Sequence, residues 1–78
     1  MSGRDPRKLA KELTRAQAMA LRRAVEFDGP ELKGAYPQLS VQMGVRGRLQ
    51  AAGLLGKRPG HPLTKLGLEV REILRGEP

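Results

Sequence analysis

The chain has 78 residues, with 15 Lys and Arg against 8 Asp and Glu, which gives a formal charge of +7. A chain this short forms one small domain, because it buries only about 60% of the surface that it exposes when unfolded. It has no Cys and a single His, which excludes a disulfide scaffold and a cysteine-ligated zinc site and leaves little for acid–base or nucleophilic catalysis. We therefore expect no enzyme, no metal site and no small-molecule cofactor.

The basic charge is unevenly distributed along the chain. The 36 residues from Lys33 to Leu68 contain six basic side chains and no carboxylate. A field of one sign attracts polyanions, although a surplus of Lys and Arg also serves simply to keep a small protein soluble. Because no apolar run approaches the ~20 residues of a membrane span and no signal peptide is visible, we expect a soluble cytoplasmic protein. Among polyanions the pattern favours duplex DNA over a lipid surface, and hence a nucleoid-associated location.

The N-terminal third is predicted to contain an arm and a helix. Residues 1–13 are polar and basic and are predicted as a basic arm, with a helix capped by Asp5 and beginning at Pro6 as the alternative. Thr14 begins a capping box, because a Gln stands three residues later. Helical spacing of apolar residues then predicts the first core helix over 14–27.

The middle of the chain is predicted to hold two further helices. A short helix is expected from Pro30 to Tyr36, because proline suits the first helical position and the following Pro37 ends the helix. A third helix is expected over 40–52, capped by Ser40 and terminated at Gly53 by a left-handed residue.

The C-terminal part is predicted as a hairpin and a last helix. Residues 54–57 form one strand, 58–62 a turn, and Leu63 begins the returning strand, with proline restricting the pair to an edge. Thr64 caps the last helix, and residues 76–78 form a tail. The predicted fold is mainly α with a small β-hairpin, in which helices and hairpin share one core. Its expected members are Leu21, Val25, Leu32, Val45, Leu49, Leu54, Leu63, Leu66, Val70 and Ile73.

Two strings in the second half resemble a known family. Arg48 to Leu55 reads R-L-x-x-x-G-L-L, and Leu63 to Val70 reads L-T-x-x-G-x-x-V. Together they resemble the ending of winged helix-turn-helix domains of MarR-like and PadR-like prokaryotic transcriptional regulators. Leu13 to Gln17 is similar to the L-T-x-x-Q start of their first core helix. The resemblance covers about residues 13–75 and implies a three-helix core, a wing and a C-terminal helix in a domain over 14–75.

The resemblance implies double-stranded DNA binding by a small prokaryotic or phage-type transcriptional regulator. Helix 40–52 would enter the major groove and the 56–62 wing would touch the backbone or minor groove. Arg46 would read guanine bidentately, and Gln42 or Gln50 would read adenine. The candidates for reading bases are Ser40, Gln42, Met43, Arg46, Gly47 and Gln50. The candidates for contacting the DNA backbone are Lys33, Arg48, Lys57, Arg58, His61 and Lys65.

Two alternatives stay open. A winged-helix scaffold also serves as a protein–protein interaction module, because function resides in the site and not in the fold. Met43 and the two glycines at 44 and 47 would suit a protein groove, whereas polar groups with cationic flanks favour DNA. The same glycines either allow close approach to DNA or make this helix weak, bent or closely packed on another helix. A homodimer could form through residues 1–13 or the last helix.

Overall fold

The computed structural model describes residues 5–76, which form four α-helices and one two-stranded antiparallel hairpin. The elements are α1 (Pro6–Glu12), α2 (Arg15–Arg22), β1 (Val25–Asp28), β2 (Lys33–Tyr36), α3 (Met43–Ala51) and α4 (Lys65–Gly76). The structure therefore has the predicted kinds of element, several helices and one small hairpin. The hairpin, however, lies in a different part of the chain from the predicted one.

Local capping signals place the first residues of three helices. The Asp5 carboxylate accepts from the Arg7 N–H at 3.0 Å at the beginning of α1. Thr14 and Gln17 exchange both bonds of the capping box at the beginning of α2. The Thr64 hydroxyl accepts from the Gly67 N–H at 3.1 Å, which confirms the predicted cap of α4.

The prediction of an N-terminal arm is wrong for residues 6–12, because they form α1. Ala10 is buried in the common core, and Leu9 and Leu13 are half-buried against it. The helical alternative, with Asp5 as cap and Pro6 in the first turn, is the one that the structure has. Residues 1–4 of the predicted arm and residues 77–78 of the predicted tail lie outside the described residues.

Two predicted helices are replaced by the hairpin. Helix α2 ends at Arg22, and Val25 to Asp28 form β1 in register with β2, with Val25 opposite Tyr36 and Asp28 opposite Lys33. The helix predicted over 14–27 is therefore confirmed only as far as Arg22, and the helix predicted over 30–36 is wrong. Alternating V-E-F-D and K-G-A-Y sequences pair across a four-residue connection, in which the Gly29 N–H donates to the Leu32 carbonyl at 3.0 Å.

The hairpin predicted over 54–63 is reduced to a single bridge between Leu55 and Leu63. Two prolines in this segment lack the N–H groups that a ladder needs, and Gly60 and His61 have positive φ angles of 84° and 54°. The loop 56–62 is nevertheless closed, since the Gly56 N–H donates to the Pro62 carbonyl at 2.8 Å. Gly60 lies so close to the Tyr36 ring that an added Cβ would come within 2.9 Å of it.

One core joins all these elements. Its fully buried members are Leu21, Leu49, Leu54 and Val70. Tyr36 is also buried. Val25 and Leu32 are corrections to the expected core, because in the hairpin segment they are about two-fifths exposed, as is Phe27. Phe27 still contacts Tyr36 edge to face, with 5.8 Å between ring centroids.

Helix α4 is fixed to the turn after α3 by a close backbone approach. A Cβ added at Gly67 would overlap the Leu54 carbonyl oxygen. The Thr64 hydroxyl donates to the Gly53 carbonyl at 2.6 Å, and the Thr64 N–H donates to the Leu54 carbonyl at 3.1 Å. Only glycine permits this distance between helix and turn, so Gly67 determines where α4 crosses the core.

We expect Gly67→Ala and Gly47→Ala to change stability in opposite directions. Gly67→Ala should lower the free energy of unfolding by about 1–3 kcal/mol, because a backbone oxygen occupies the space of the new methyl group. Gly47 is also helical but has nothing within 4 Å of a built Cβ, so Gly47→Ala should raise it by about 0.5–1 kcal/mol. Urea denaturation measures both; a stable Gly67→Ala variant would contradict the close approach.

Candidate nucleic-acid interface

Helix α3 begins later than predicted and ends as predicted. Its N-cap is Gln42, which makes no side-chain capping bond, so the prediction that Ser40 caps this helix is wrong. The Gly53 N–H donates to the Gln50 carbonyl and the Leu54 N–H to the Leu49 carbonyl, with Gly53 at φ 82°. This is the Schellman arrangement, and it confirms the left-handed glycine stop.

The outward side of α3 carries few large side chains. Val45 and Leu49 turn inward, whereas five residues on the opposite side are exposed. We call these five residues the outer face of α3: Met43, Gly44, Gly47, Arg48 and Ala51. Met43 is 76% exposed, so its placement on the outward side, predicted from helical spacing, is confirmed.

The glycines of the outer face are not required by packing. A Cβ built at Gly44 or Gly47 meets nothing within 4 Å. The alternative in which these glycines pack α3 against another helix is therefore wrong for the described residues. They instead leave a flat strip of helix open, beside the exposed Arg48 side chain.

Arg46 lies elsewhere than expected. It is 8% exposed, and its Nε donates to the Val41 carbonyl at 3.1 Å while its Nη2 donates to the Gln38 carbonyl at 2.6 Å. The expectation that Arg46 faces outward is wrong, because its guanidinium ties the segment before α3 to the helix. To reach a base it would have to leave both carbonyls, so Arg48 is the exposed cation of α3.

The polar candidates at the beginning of α3 share a groove with α2. Ser40 and Gln42 are exposed and line a groove of about 310 Å³ together with Arg23. The Gln38 amide donates to the Arg23 carbonyl at 3.2 Å, which links the end of α2 to this segment. Gln50 is half-buried on the side of α3 away from this groove.

The backbone candidates are dispersed over β2, α3, the loop 56–62 and α4. Lys33 lies on β2 with its ammonium 4.0 Å from the Asp28 carboxylate, so it belongs to the hairpin and not to α3. Lys57 and Arg58 are exposed on the loop 56–62, and Lys65 is exposed at the start of α4. His61 is half-buried, and its Nδ1 lies 3.0 Å from the Gly56 carbonyl, where it holds the loop closed.

Sequence reasoning missed a cluster of arginines on α2 and α4. A groove of about 650 Å³ is lined by Arg15, Arg22, Arg23 and Arg75 together with Ala18, Met19 and Leu74. No carboxylate lines it. We call it the arginine groove. Arg15 and Arg22 are seven residues apart on a helix, so helical spacing alone could have placed them on one side.

The hairpin side of the molecule has the opposite character. A groove of about 550 Å³ runs between the hairpin, the 37–40 segment and the loop at Pro59 and Gly60, and its lining is mainly apolar. Val25, Phe27 and Leu32 line it, as does Leu39, which is 98% exposed. Glu26, Asp28 and Glu31 belong to the same hairpin segment.

The chain matches no family model, no curated protein and no solved structure. None of the helices within residues 5–76 is long and apolar enough to cross a bilayer.

We expect Arg46→Met to lower stability and Arg48→Met to leave it nearly unchanged. Loss of the two bonds from the buried guanidinium should cost about 1.5–3 kcal/mol of unfolding free energy. Arg48 is exposed on the same helix and serves as the matched control, with an expected change within about 0.5 kcal/mol. Thermal and urea denaturation would report both; equal losses would contradict the assignment of Arg46 to the fold.

Proposed function

We propose that the protein binds double-stranded DNA through the outer face of α3 and acts as a small prokaryotic or phage-type transcriptional regulator. The observation that carries the proposal is an exposed helix whose two glycines stand in open space beside a free arginine. A helix without side chains along one strip can lie deeper in a major groove than one with a full surface. Arg48 and Gln42 would then supply the polar contacts at its two ends.

The proposal includes the interpretation that the domain is a winged helix. In it, α2, α3 and α4 form the helical part and the loop 56–62, closed by the Leu55–Leu63 bridge, is the wing. Lys57 and Arg58 are exposed on that loop and would contact phosphates. The hairpin β1–β2 stands where such domains have a helix before the recognition helix, so the segment leading into α3 is held by Arg46 instead of by a helix-turn-helix corner.

The charge distribution favours one side of the molecule for the proposed DNA. The segment from Lys33 to Leu68, which includes α3 and the loop 56–62, contains no carboxylate. Three acidic residues, Glu26, Asp28 and Glu31, lie in β1 and the hairpin turn, where they would repel phosphates. We therefore place the duplex on the side of α3 and not on the hairpin.

A protein-interaction module is the second candidate function. The apolar groove beside the hairpin, with Leu39 almost fully exposed, is the observation that favours it. The salt titration with duplex DNA described next decides between the two candidates, because a protein-interaction module has no need to bind a duplex at low salt.

Binding to a 20-base-pair duplex should weaken steeply with salt. If four to six phosphates are neutralised, the slope of log affinity against log salt concentration should be about −4 to −5. Fluorescence anisotropy at several KCl concentrations measures this slope. Absence of binding at low salt, or an affinity independent of salt, would reject the DNA function and favour the protein-interaction candidate.

A series at Gly47 tests the use of the outer face. Gly47→Ala and Gly47→Leu should both stabilise the helix, because each residue has a higher helix propensity than glycine and the space is open. We expect DNA affinity to fall with side-chain size, slightly for Ala and about tenfold or more for Leu, because the side chain holds the helix away from the groove. Unchanged affinity in the Leu variant would contradict contact through this face, whatever its stability.

A further inference from the structure

The arginine groove is a second charged surface, distinct from the outer face of α3. It is formed where the C-terminal end of α4 meets α2, and four guanidinium groups line it. Arg75 is fixed there, since its Nε donates to the Arg22 carbonyl at 3.1 Å and its Nη2 to the Ala24 carbonyl at 3.4 Å. The groove therefore has a defined shape as well as a charge.

Three of these arginines have no side-chain partner in the described part of the chain. The side chains of Arg15, Arg22 and Arg23 make no hydrogen bond or ion pair with any residue between 5 and 76. Arg15 is the first residue of α2, where the helix dipole disfavours a positive charge. Four like charges around one groove also repel one another. Arg22 stands in the last turn of α2, where the dipole favours a positive charge, so the repulsion among the four arginines is the unfavourable contribution that a bound polyanion would relieve.

The arginine groove adjoins the segment that leads into α3. Arg23 lines it and also lines the groove that contains Ser40 and Gln42, just before α3 begins. A backbone that passes the beginning of α3 can therefore continue past Arg23 onto α2. Guanidinium groups match phosphate oxygens in a bidentate geometry, which a spaced row of phosphates presents repeatedly.

We propose that the arginine groove binds the sugar-phosphate backbone of the duplex whose major groove receives α3. The groove contributes affinity without sequence preference, and Arg23 joins it to the base-reading helix. This inference rests on the proposed DNA function and adds to it a backbone contact made by α2 and the end of α4.

The test compares two triple variants of equal charge. Arg15→Gln/Arg22→Gln/Arg23→Gln removes three cations from the groove, whereas Arg7→Gln/Lys8→Gln/Lys11→Gln removes three exposed cations from α1. Both lower the formal charge from +7 to +4 (7 − 3). Arg75 is left in place because it bonds to the end of α2. Each protein is titrated with a 20-base-pair duplex of random sequence at several KCl concentrations.

We expect the groove triple to make the salt slope shallower by about 3, because each lost phosphate contact removes about one unit. The α1 triple should change the slope by less than one unit. The groove triple should also unfold at the same or higher urea concentration than the parent protein, since it relieves repulsion. A slope change of equal size in both triples, or none in the groove triple, would overturn the inference.

Parallel titration of Gly47→Leu separates this inference from the proposed function. Binding that depends on the groove triple and not on Gly47 would support the groove and contradict the use of α3. Binding that is weakened by Gly47→Leu and not by the groove triple would support the use of α3 and contradict the groove. If the groove triple loses affinity for polyglutamate but keeps its affinity for the duplex, the groove takes an acidic protein and the inference is wrong.

Discussion

The structure depends on one short contact, the approach of α4 to the turn that follows α3. Gly67 has no side chain, so the Leu54 carbonyl lies where a Cβ would be, and Thr64 joins the same turn through its hydroxyl and its N–H. Leu54 and Val70 are fully buried beside this contact. It sets the position of α4, which in turn packs against α1 and α2. Substitutions elsewhere in the core change side-chain packing, whereas Gly67 determines how closely α4 approaches the turn after α3.

A second set of contacts connects the ends of α2 and α3 to the hairpin. The Gln38 amide bonds to the last turn of α2, and the Arg46 guanidinium bonds to the carbonyls of Gln38 and Val41. The Arg71 guanidinium on α4, 7% exposed, pairs with the Glu26 carboxylate of β1 at 2.7 Å. Of these two buried arginines, Arg46 bonds through two of its nitrogens, whereas Arg71 uses Nη2 alone and its buried Nε and Nη1 have no partner within residues 5–76. Arg46 holds the 38–41 segment in place through charge-assisted bonds to two backbone carbonyls, and Arg71 ties α4 to β1.

The two signs of charge are unevenly placed in the middle of the molecule. The hairpin segment holds Glu26, Asp28 and Glu31 next to an apolar groove, while the cations of α2, α3 and the loop 56–62 make no ion pair within residues 5–76. The apolar groove and the proposed duplex surface meet at Ser40 and at the loop 56–62, because Ser40, Pro59 and Gly60 also line the groove. A partner protein in the groove would therefore lie against the loop that the proposal assigns to phosphate contacts.

Short-range capping signals in the sequence correctly predicted where α2 and α4 begin and where α3 ends. The capping box at Thr14, the Thr64 cap and the left-handed Gly53 all act within five residues, so the sequence alone determined them. Helical spacing likewise identified Leu21, Leu49 and Val70 as core. The carboxylate-free stretch and the outward position of Met43 also followed from the sequence.

Tertiary structure decided what depended on distant partners. Val25 to Asp28 fits a helix continued from α2 as well as a strand, and only pairing with Lys33–Tyr36 made it a strand. The loop 56–62 lost its predicted ladder to prolines and packed on Tyr36 instead. Arg46 and Arg48 are two residues apart on one helix, yet one is buried and one exposed, because carbonyls of the 38–41 segment reach the first. Charge and capping are properties of the chain itself; burial of an arginine depends on which backbone folds over it.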